Sequence, residues 1–158
     1  MPAAIRPLVS ADLDRVVAIE REAFTDPWPR SAFLDLLAQP QVRGVAADAS
    51  APSAARGLDG YALALVAADE AEILNLAVAP DARRRGIGRA LLDELLAVFR
   101  REQVARVHLE VRQSNAGALR LYQAAGFRPV STRRAYYRNP TENAVTMTLR
   151  LNAESAQK

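Results

Sequence analysis

A glutamate in the middle of an apolar strand is the first residue whose chemistry stands out. Glu110 lies within Val107-His108-Leu109-Glu110-Val111, where alternation puts it on the face of His108 and opposite Leu109 and Val111. Such a carboxylate is either an exposed-face residue or a base placed to take a proton. Tyr122 follows Asn115 by seven positions, almost two helical turns, so both lie near one side of a helix. That side also carries Ala118 and Ala125, so Tyr122 reads equally as a core residue or as a proton donor. A phenol with a reference pKa of about 10 stays protonated at neutral pH. Asn115 reads as the N-cap of the same helix.

A third segment is built to hold an anion. Arg83-Arg84-Arg85-Gly86-Ile87-Gly88-Arg89 lies between an apolar strand at 72–78 and a strongly amphipathic helix. The first amides of a helix have no internal partner, and the macrodipole adds positive charge there. Glycines let a ligand approach the backbone, and arginines add charge, so a pyrophosphate is the fitting guest. The alternative is a solvated turn with its arginines in water. Neither the P-loop pattern nor the Rossmann glycine spacing is present, since Leu91 stands where a third glycine would fall.

Other residues invite weaker readings. His108 is the single histidine; with no obvious acid partner it reads as a surface strand residue rather than a base. Trp28, between Pro27 and Pro29, is expected to pack a helix–helix corner first and to touch a substrate only secondarily. Tyr136 and Tyr137, after Arg133-Arg134 on an expected loop, either line an acceptor groove or pack at a sheet edge.

The elements that position these groups follow from periodicity. The chain has 158 residues, half of them hydrophobic, the size and balance of one globular domain. Strands are expected at 5–9, 42–47, 60–67, 72–78, 107–111, 127–132 and 144–151. Ser10 is the expected N-cap of a first helix carrying Leu13, Val16, Val17 and Phe24 on one face. A shorter helix covers 31–37. The helix after the arginine loop buries Ile87, Leu91, Leu95, Val98 and Phe99. A fourth runs from Ser114-Asn115 to Gly126, its C-cap. The order is β-α-α-β-β-β-α-β-α-β-β, a mixed α/β domain with a strand–loop–helix–strand crossover at its middle. The Ala/Ser/Pro-rich stretch 49–56 reads as a surface connection, and 152–158 as a frayed polar tail.

Charge and composition limit what this domain does. Cysteine is absent, which excludes a disulfide scaffold, a thiolate zinc site and a cysteine nucleophile, and no metal is expected. No apolar run approaches the roughly 20 residues of a membrane helix, and the N-terminus lacks a signal pattern. A cytoplasmic protein without membrane contact is expected. Residues 1–82 carry six arginines against twelve carboxylates, and residues 83–158 fifteen basic groups against six, balances of −6 and +9 that give the net +3. The C-terminal half thus suits an anion and the N-terminal half a cationic partner.

The segment Arg83-x-x-Gly86-x-Gly88 is similar to the phosphate loop of the GNAT acetyltransferases. The similarity extends through Leu74-Asn75-Leu76-Ala77-Val78, Leu109-Glu110-Val111-Arg112-x-Ser114-Asn115, Leu121-Tyr122 and Gly126-Phe127. Ile19-Glu20, Phe24, Pro27-Trp28, Phe33 and Arg134-Ala135-Tyr136-Tyr137 resemble the acceptor-side segments of one bacterial branch. That branch acetylates the N-terminal alanine of a small-subunit ribosomal protein. The resemblance spans about 5–151 and is most specific at 74–127.

It implies a single GNAT domain: a mixed, mostly antiparallel sheet of about seven strands flanked by four helices, with splayed central strands. It also implies acetyl-CoA as cosubstrate. The strand Leu76-Ala77-Val78, the loop Arg83 to Arg89, Asn115 and Tyr122 would contact the coenzyme. Glu110 would act as base, directly or through water, and Tyr122 as acid. Trp28, Glu110, Tyr136 and Tyr137 would meet the acceptor.

An α-amine, with a pKa of about 8 against about 10.4 for lysine, is neutral hundreds of times more often at pH 7 and suits such a base. Acetylation of a lysine, polyamine or small amine is the alternative within the fold. A nucleic-acid module using the arginine-rich half is the alternative outside it; the scarcity of aromatics speaks against a stacking platform, and no nucleic acid is expected. A monomer or weak dimer is expected.

Overall fold

The computed structural model describes residues 3–49 and 57–151. Most of the 49–56 connection and the whole 152–158 tail lie outside the described residues. The elements occur in the expected order. They are β1 (Ile5–Pro7), α1 (Leu13–Ala23), α2 (Arg30–Leu37), β2 (Val42–Asp48), β3 (Leu58–Ala67) and β4 (Glu70–Val78), then α3 (Ile87–Arg101), β5 (Arg106–Arg112), α4 (Ala116–Ala124), β6 (Arg128–Tyr137) and β7 (Glu142–Arg150). The strands form one seven-stranded sheet in the order β1-β2-β3-β4-β5-β7-β6. Every neighbouring pair is antiparallel except β4–β5. The α/β fold class expected from the sequence is the one observed.

Two details depart from expectation. Ser10 begins a 3-10 turn rather than capping α1, and the Asp12 carboxylate accepts the Val9 N–H at 2.9 Å instead. β6 runs on to Tyr137, because β7 continues to supply a partner: Tyr137 pairs with Glu142 beyond an irregularity after Arg133. Tyr136 and Tyr137 are therefore strand residues, not loop residues. The β3–β4 turn sits at Ala68-Asp69, with Ala68 at φ 55°.

Alternation along β3 assigns the two layers. A Cβ on Gly60 would lie 3.0 Å from the Ala77 carbonyl and 3.1 Å from Leu91, so α3 presses on this face and glycine is required by the close approach. Tyr61, one residue on, points the other way, toward Glu20 of α1 and Phe33 of α2. α3 buries Ile87, Leu91, Leu92, Leu95, Leu96 and Phe99, each large side chain contributing about 1.5–3 kcal/mol by leaving water. Val98 of the expected stripe is only half-buried. Leu121 of α4 lies 3.6 Å from where a Gly88 Cβ would be, which sets α4 beside the start of α3.

The sheet parts at its centre. β4 and β5 pair only from Glu70↔Arg106 to Ile73↔Leu109. β4 carries a bulge at Leu74, since Leu63 faces Asn75 while Ala64 faces Ile73. The extra residue bends the strand. Beyond it Leu74–Val78 stays with β3 and has no strand partner toward β5, leaving a slot between the diverging ends. The splay expected of the central strands is thus present.

Candidate active site

The loop before α3 forms the rim of this slot. Pro80–Ala82 makes a 3-10 turn. Arg84 and Gly86 then adopt φ of 65° and 77°, the left-handed conformation that glycine adopts freely. The first α3 hydrogen bond runs from Ala90 N–H to the Gly86 carbonyl at 3.0 Å. The amides of Ile87, Gly88 and Arg89 precede it and are unused by the helix. A Cβ on Gly86 would meet nothing within 4 Å. Arg83, Arg84 and Arg85 are exposed, and Arg89 pairs with Asp93 at 2.8 Å. Exposed amides, a permissive glycine and three solvated guanidiniums suit a diphosphate.

Behind the slot lies a cavity of about 830 Å³. It gathers residues far apart in the chain: Leu76, Glu110, Asn115 and Tyr122 meet Trp28, Tyr136 and Tyr137. The structure thus joins both catalytic candidates, all the acceptor candidates and part of the coenzyme set. Ala77, Val78 and Arg83 to Arg89 do not line the cavity; Val78 abuts the start of α3, 3.8 Å from where a Gly88 Cβ would be.

Glu110 is held on the cavity side of β5 by Arg133, whose Nη1 donates to Oε1 and Oε2 at 3.0 and 3.1 Å. Its side chain is 16% exposed. A carboxylate has about four acceptor sites, so an acceptor amine or a water can still bond it. The Arg133 guanidinium also sits 4.2 Å from the Tyr136 ring centre. Tyr122 is buried, its ring 5.6 Å from that of Phe127. Burial, and secondarily the nearby Tyr137, push the Tyr122 phenol above its usual value, so it keeps its proton. Burial first, then Glu110, raises Tyr137 to about 12. Tyr122 packs the core and also lines the cavity.

Asn115 caps α4, its Oδ1 accepting from Ala118 N–H at 3.1 Å, and also lines the cavity. Glu142 ties this end to the β6–β7 hairpin. It accepts from Ser114 N–H at 2.6 Å and from Arg112 at 3.2 Å; the Ser114 side chain first, and then these two bonds, hold its pKa below the usual carboxylate range. His108 is half-buried with Glu70 at 2.6 Å and Thr148 at 3.0 Å. An acid partner therefore exists, supplied by β4 and not visible nearby in sequence. His108 does not line the cavity.

Glu20 is the residue to which sequence reasoning assigned no role beyond its place in an acceptor-side segment. It is buried and lines the cavity. Its Oε2 accepts from Trp28 N–H at 2.9 Å, and Oε1 from Asn75 Nδ2 at 2.6 Å and from the Tyr61 hydroxyl. The signal was available: position 20 falls on the apolar stripe of Leu13, Val16, Val17 and Phe24, where a carboxylate is costly unless it is fully hydrogen-bonded. Trp28 packs on Phe33 at 5.5 Å, and Phe33 on Tyr61 at 5.8 Å.

A sheet opened beside a helix N-terminus, with a carboxylate and a phenol behind the opening, is the layout of an acyl-transfer enzyme. Residues 13–127 match the family model described as Acetyltransferase (GNAT) family, and the chain belongs to that family of acetyltransferases. The N-alpha-acetyltransferase RimI of Mycobacterium tuberculosis is 41% identical over 92% of this chain and 91% of its own. The [ribosomal protein bS18]-alanine N-acetyltransferase of Escherichia coli K12 is 36% identical over 92% and 95%. A crystal structure of the ribosomal-protein-S18-alanine N-acetyltransferase from Escherichia coli superposes with a TM-score of 0.85 at 33% identity, covering 94% of each chain. Arabidopsis thaliana NAA60, in complex with acetyl-CoA, shares the fold at a TM-score of 0.84 and 23% identity, over 96% of this chain and all of its own. Among the described residues no helix is long and apolar enough to cross a membrane, and no group of three metal-ligating side chains occurs.

Proposed function

We propose that the protein transfers the acetyl group of acetyl-CoA to the N-terminal alanine amine of a small-subunit ribosomal protein, as its relatives' names describe for them, within one catalytic domain whose core is about 5–151. The observation that carries this reading is the continuity of slot and cavity. The unpaired edge of β4, Glu110, Tyr122 and the acceptor-side aromatics share a single space.

The residues divide the work. The amides of Ile87 to Arg89, with Arg83, Arg84 and Arg85, hold the diphosphate, and the freed edge of Leu76-Ala77-Val78 lies along the pantetheine arm. Asn115, at the mouth of α4, contacts the coenzyme while capping its helix. Trp28, Tyr136 and Tyr137 border the acceptor. The amine nitrogen forms its bond to the thioester carbonyl carbon, and Glu110 takes the released proton directly or through a water. As the carbon–sulfur bond breaks, the Tyr122 hydroxyl donates toward the sulfur. Desolvation that keeps the phenol protonated also raises the proton affinity of a thiolate in the same cavity.

Acidic groups from the N-terminal half, Asp26 and Glu72, also border the cavity and favour a cationic acceptor segment. The test is labelled acetyl-CoA with peptides beginning Ala, Ser, Met or Gly, beside an N-terminally blocked peptide containing lysine. Label on the α-amine of the Ala peptide is the expected result. Label only on the lysine side chain would overturn the assignment of acceptor.

A further inference from the structure

Glu20 is the one buried carboxylate of the cavity wall that the transfer chemistry above leaves unused. It spans three separate pieces of that wall: α1 itself, the chain at Trp28, and β4 at Asn75. Its three donors are neutral groups, so Glu20 acts as a fixed acceptor among them. Asn75 stands one residue past the bulge at Leu74 and two past the last β4–β5 pair, at the mouth of the slot.

The hydrogen-bond inventory of Asn75 fixes its orientation. A carboxylate only accepts, so the amide nitrogen must be the end that faces Glu20. Nδ2 donates to Glu20 Oε1 at 2.6 Å, and the Tyr61 hydroxyl oxygen, 3.2 Å away, shares that side of the nitrogen. The Tyr61 hydroxyl in turn donates to Glu20, so the three groups close a ring. Oδ1 is left as the free end of a carboxamide that cannot flip without setting a carbonyl against a carboxylate. Asn75 is half-buried and lines the cavity.

An amine that attacks a carbonyl must aim its lone pair, and that requires acceptors for its hydrogens. We propose that Glu20 is a positioning residue for the acceptor: it locks the Asn75 carboxamide so that Oδ1 accepts a hydrogen of the incoming amine and turns its lone pair into the slot. Through the Trp28 N–H the same carboxylate also fixes a second piece of the cavity wall, so both pieces are referenced to one group. This deepens the N-terminal acetyltransferase reading and rests on it.

The test compares the parent with Glu20→Gln, Asn75→Leu and the double variant Glu20→Gln/Asn75→Asp. Acceptor KM and kcat come from initial rates with an Ala-starting peptide, and coenzyme Kd from calorimetry. Each single variant is expected to raise acceptor KM by about tenfold, the scale of one lost oriented hydrogen bond, with coenzyme Kd within about twofold. In the double variant Gln Oε1 accepts from Trp28, Gln Nε2 donates to the new carboxylate, and the second carboxylate oxygen replaces Oδ1. Acceptor KM should return to within about threefold of the parent. Asn75→Leu, at a half-buried wall position, decides the matter alone if Glu20→Gln does not fold. An unchanged acceptor KM in Asn75→Leu, a coenzyme Kd that rises in step with KM, or a double variant as impaired as the singles would overturn the proposal. A parent inactive on every free N-terminus would instead overturn the assignment of function on which it rests.

Discussion

The rim at Arg83 to Arg89 and the wall formed by Glu20, Trp28, Asn75, Tyr136 and Tyr137 face the same slot, yet they are made differently. The rim is seven consecutive residues whose proposed phosphate-holding groups are backbone amides and exposed guanidiniums. Its arginines bond only loosely to their own loop, as in the 3.4 Å contacts of Arg83 to the Val78 carbonyl and Arg85 to that of Asp81. The wall is assembled from α1, the α1–α2 connection, β4 and β6, and its contacts are short side-chain bonds between residues as far apart as Glu20 and Asn75. A diphosphate presents the same face to any such enzyme, so a local motif suffices. An acceptor must be chosen, and choice is carried by packing across the fold.

That contrast can be broken by substitution. The largest effect is expected at the proposed base and acid between the two regions. Glu110→Gln should lower kcat by about 100-fold or more while coenzyme Kd stays within twofold, and a parallel loss of coenzyme binding would show that the carboxylate serves the rim instead. Tyr122→Phe, which keeps the ring against Phe127, should lower kcat by a few tens-fold with little change in Tm; an unaltered rate would return Tyr122 to a packing role. Gly86→Val should weaken coenzyme binding by about tenfold and leave acceptor KM alone. Its cause is the backbone, since a side chain there has open space but the φ of 77° costs an L-residue about 1–2 kcal/mol. A calorimetric Kd equal to the parent's would count against the rim as the phosphate socket.

The smallest effect lies where the regions join. Hydrogen bonding from Ser114 holds Glu142 below its unfolded pKa, so its stabilising contribution is present above the ordinary carboxylate value of about 4.3 and is lost as pH falls through the lowered folded one. Glu142→Gln should raise acceptor KM a few-fold at pH 7. The gap in Tm between parent and variant should close as the solution is taken from about pH 6 to pH 3. A gap that stays constant over that range would sever the hairpin from Glu142.

The same division explains what could be read beforehand. Ile87, Leu91, Leu95 and Phe99 announce α3, and the loop before it announces an anion site, because helical spacing and backbone chemistry are local. Glu110 and Tyr122 were visible as odd residues within regular elements. The Arg133 clamp on Glu110 and the Glu70 partner of His108 were not, since cross-strand neighbours depend on the strand order β5-β7-β6 and on the parallel seam. The apolar pattern ends the strand at Thr132 and leaves Tyr136 and Tyr137 on a loop after Arg133-Arg134, whereas β7 pairs past the irregularity and keeps them in the strand. Glu20 sat on a stripe that hydrophobic spacing alone fills with apolar residues.

Among the described residues, four ladder pairs are the whole of the strand pairing between β1–β4 and β5, β7 and β6. Along that seam the sheet is two half-sheets joined over a short length. Any extended guest laid between them supplies the missing rungs of the ladder, so the reagent of the reaction would also be a brace for the enzyme, gripping both halves until it is spent.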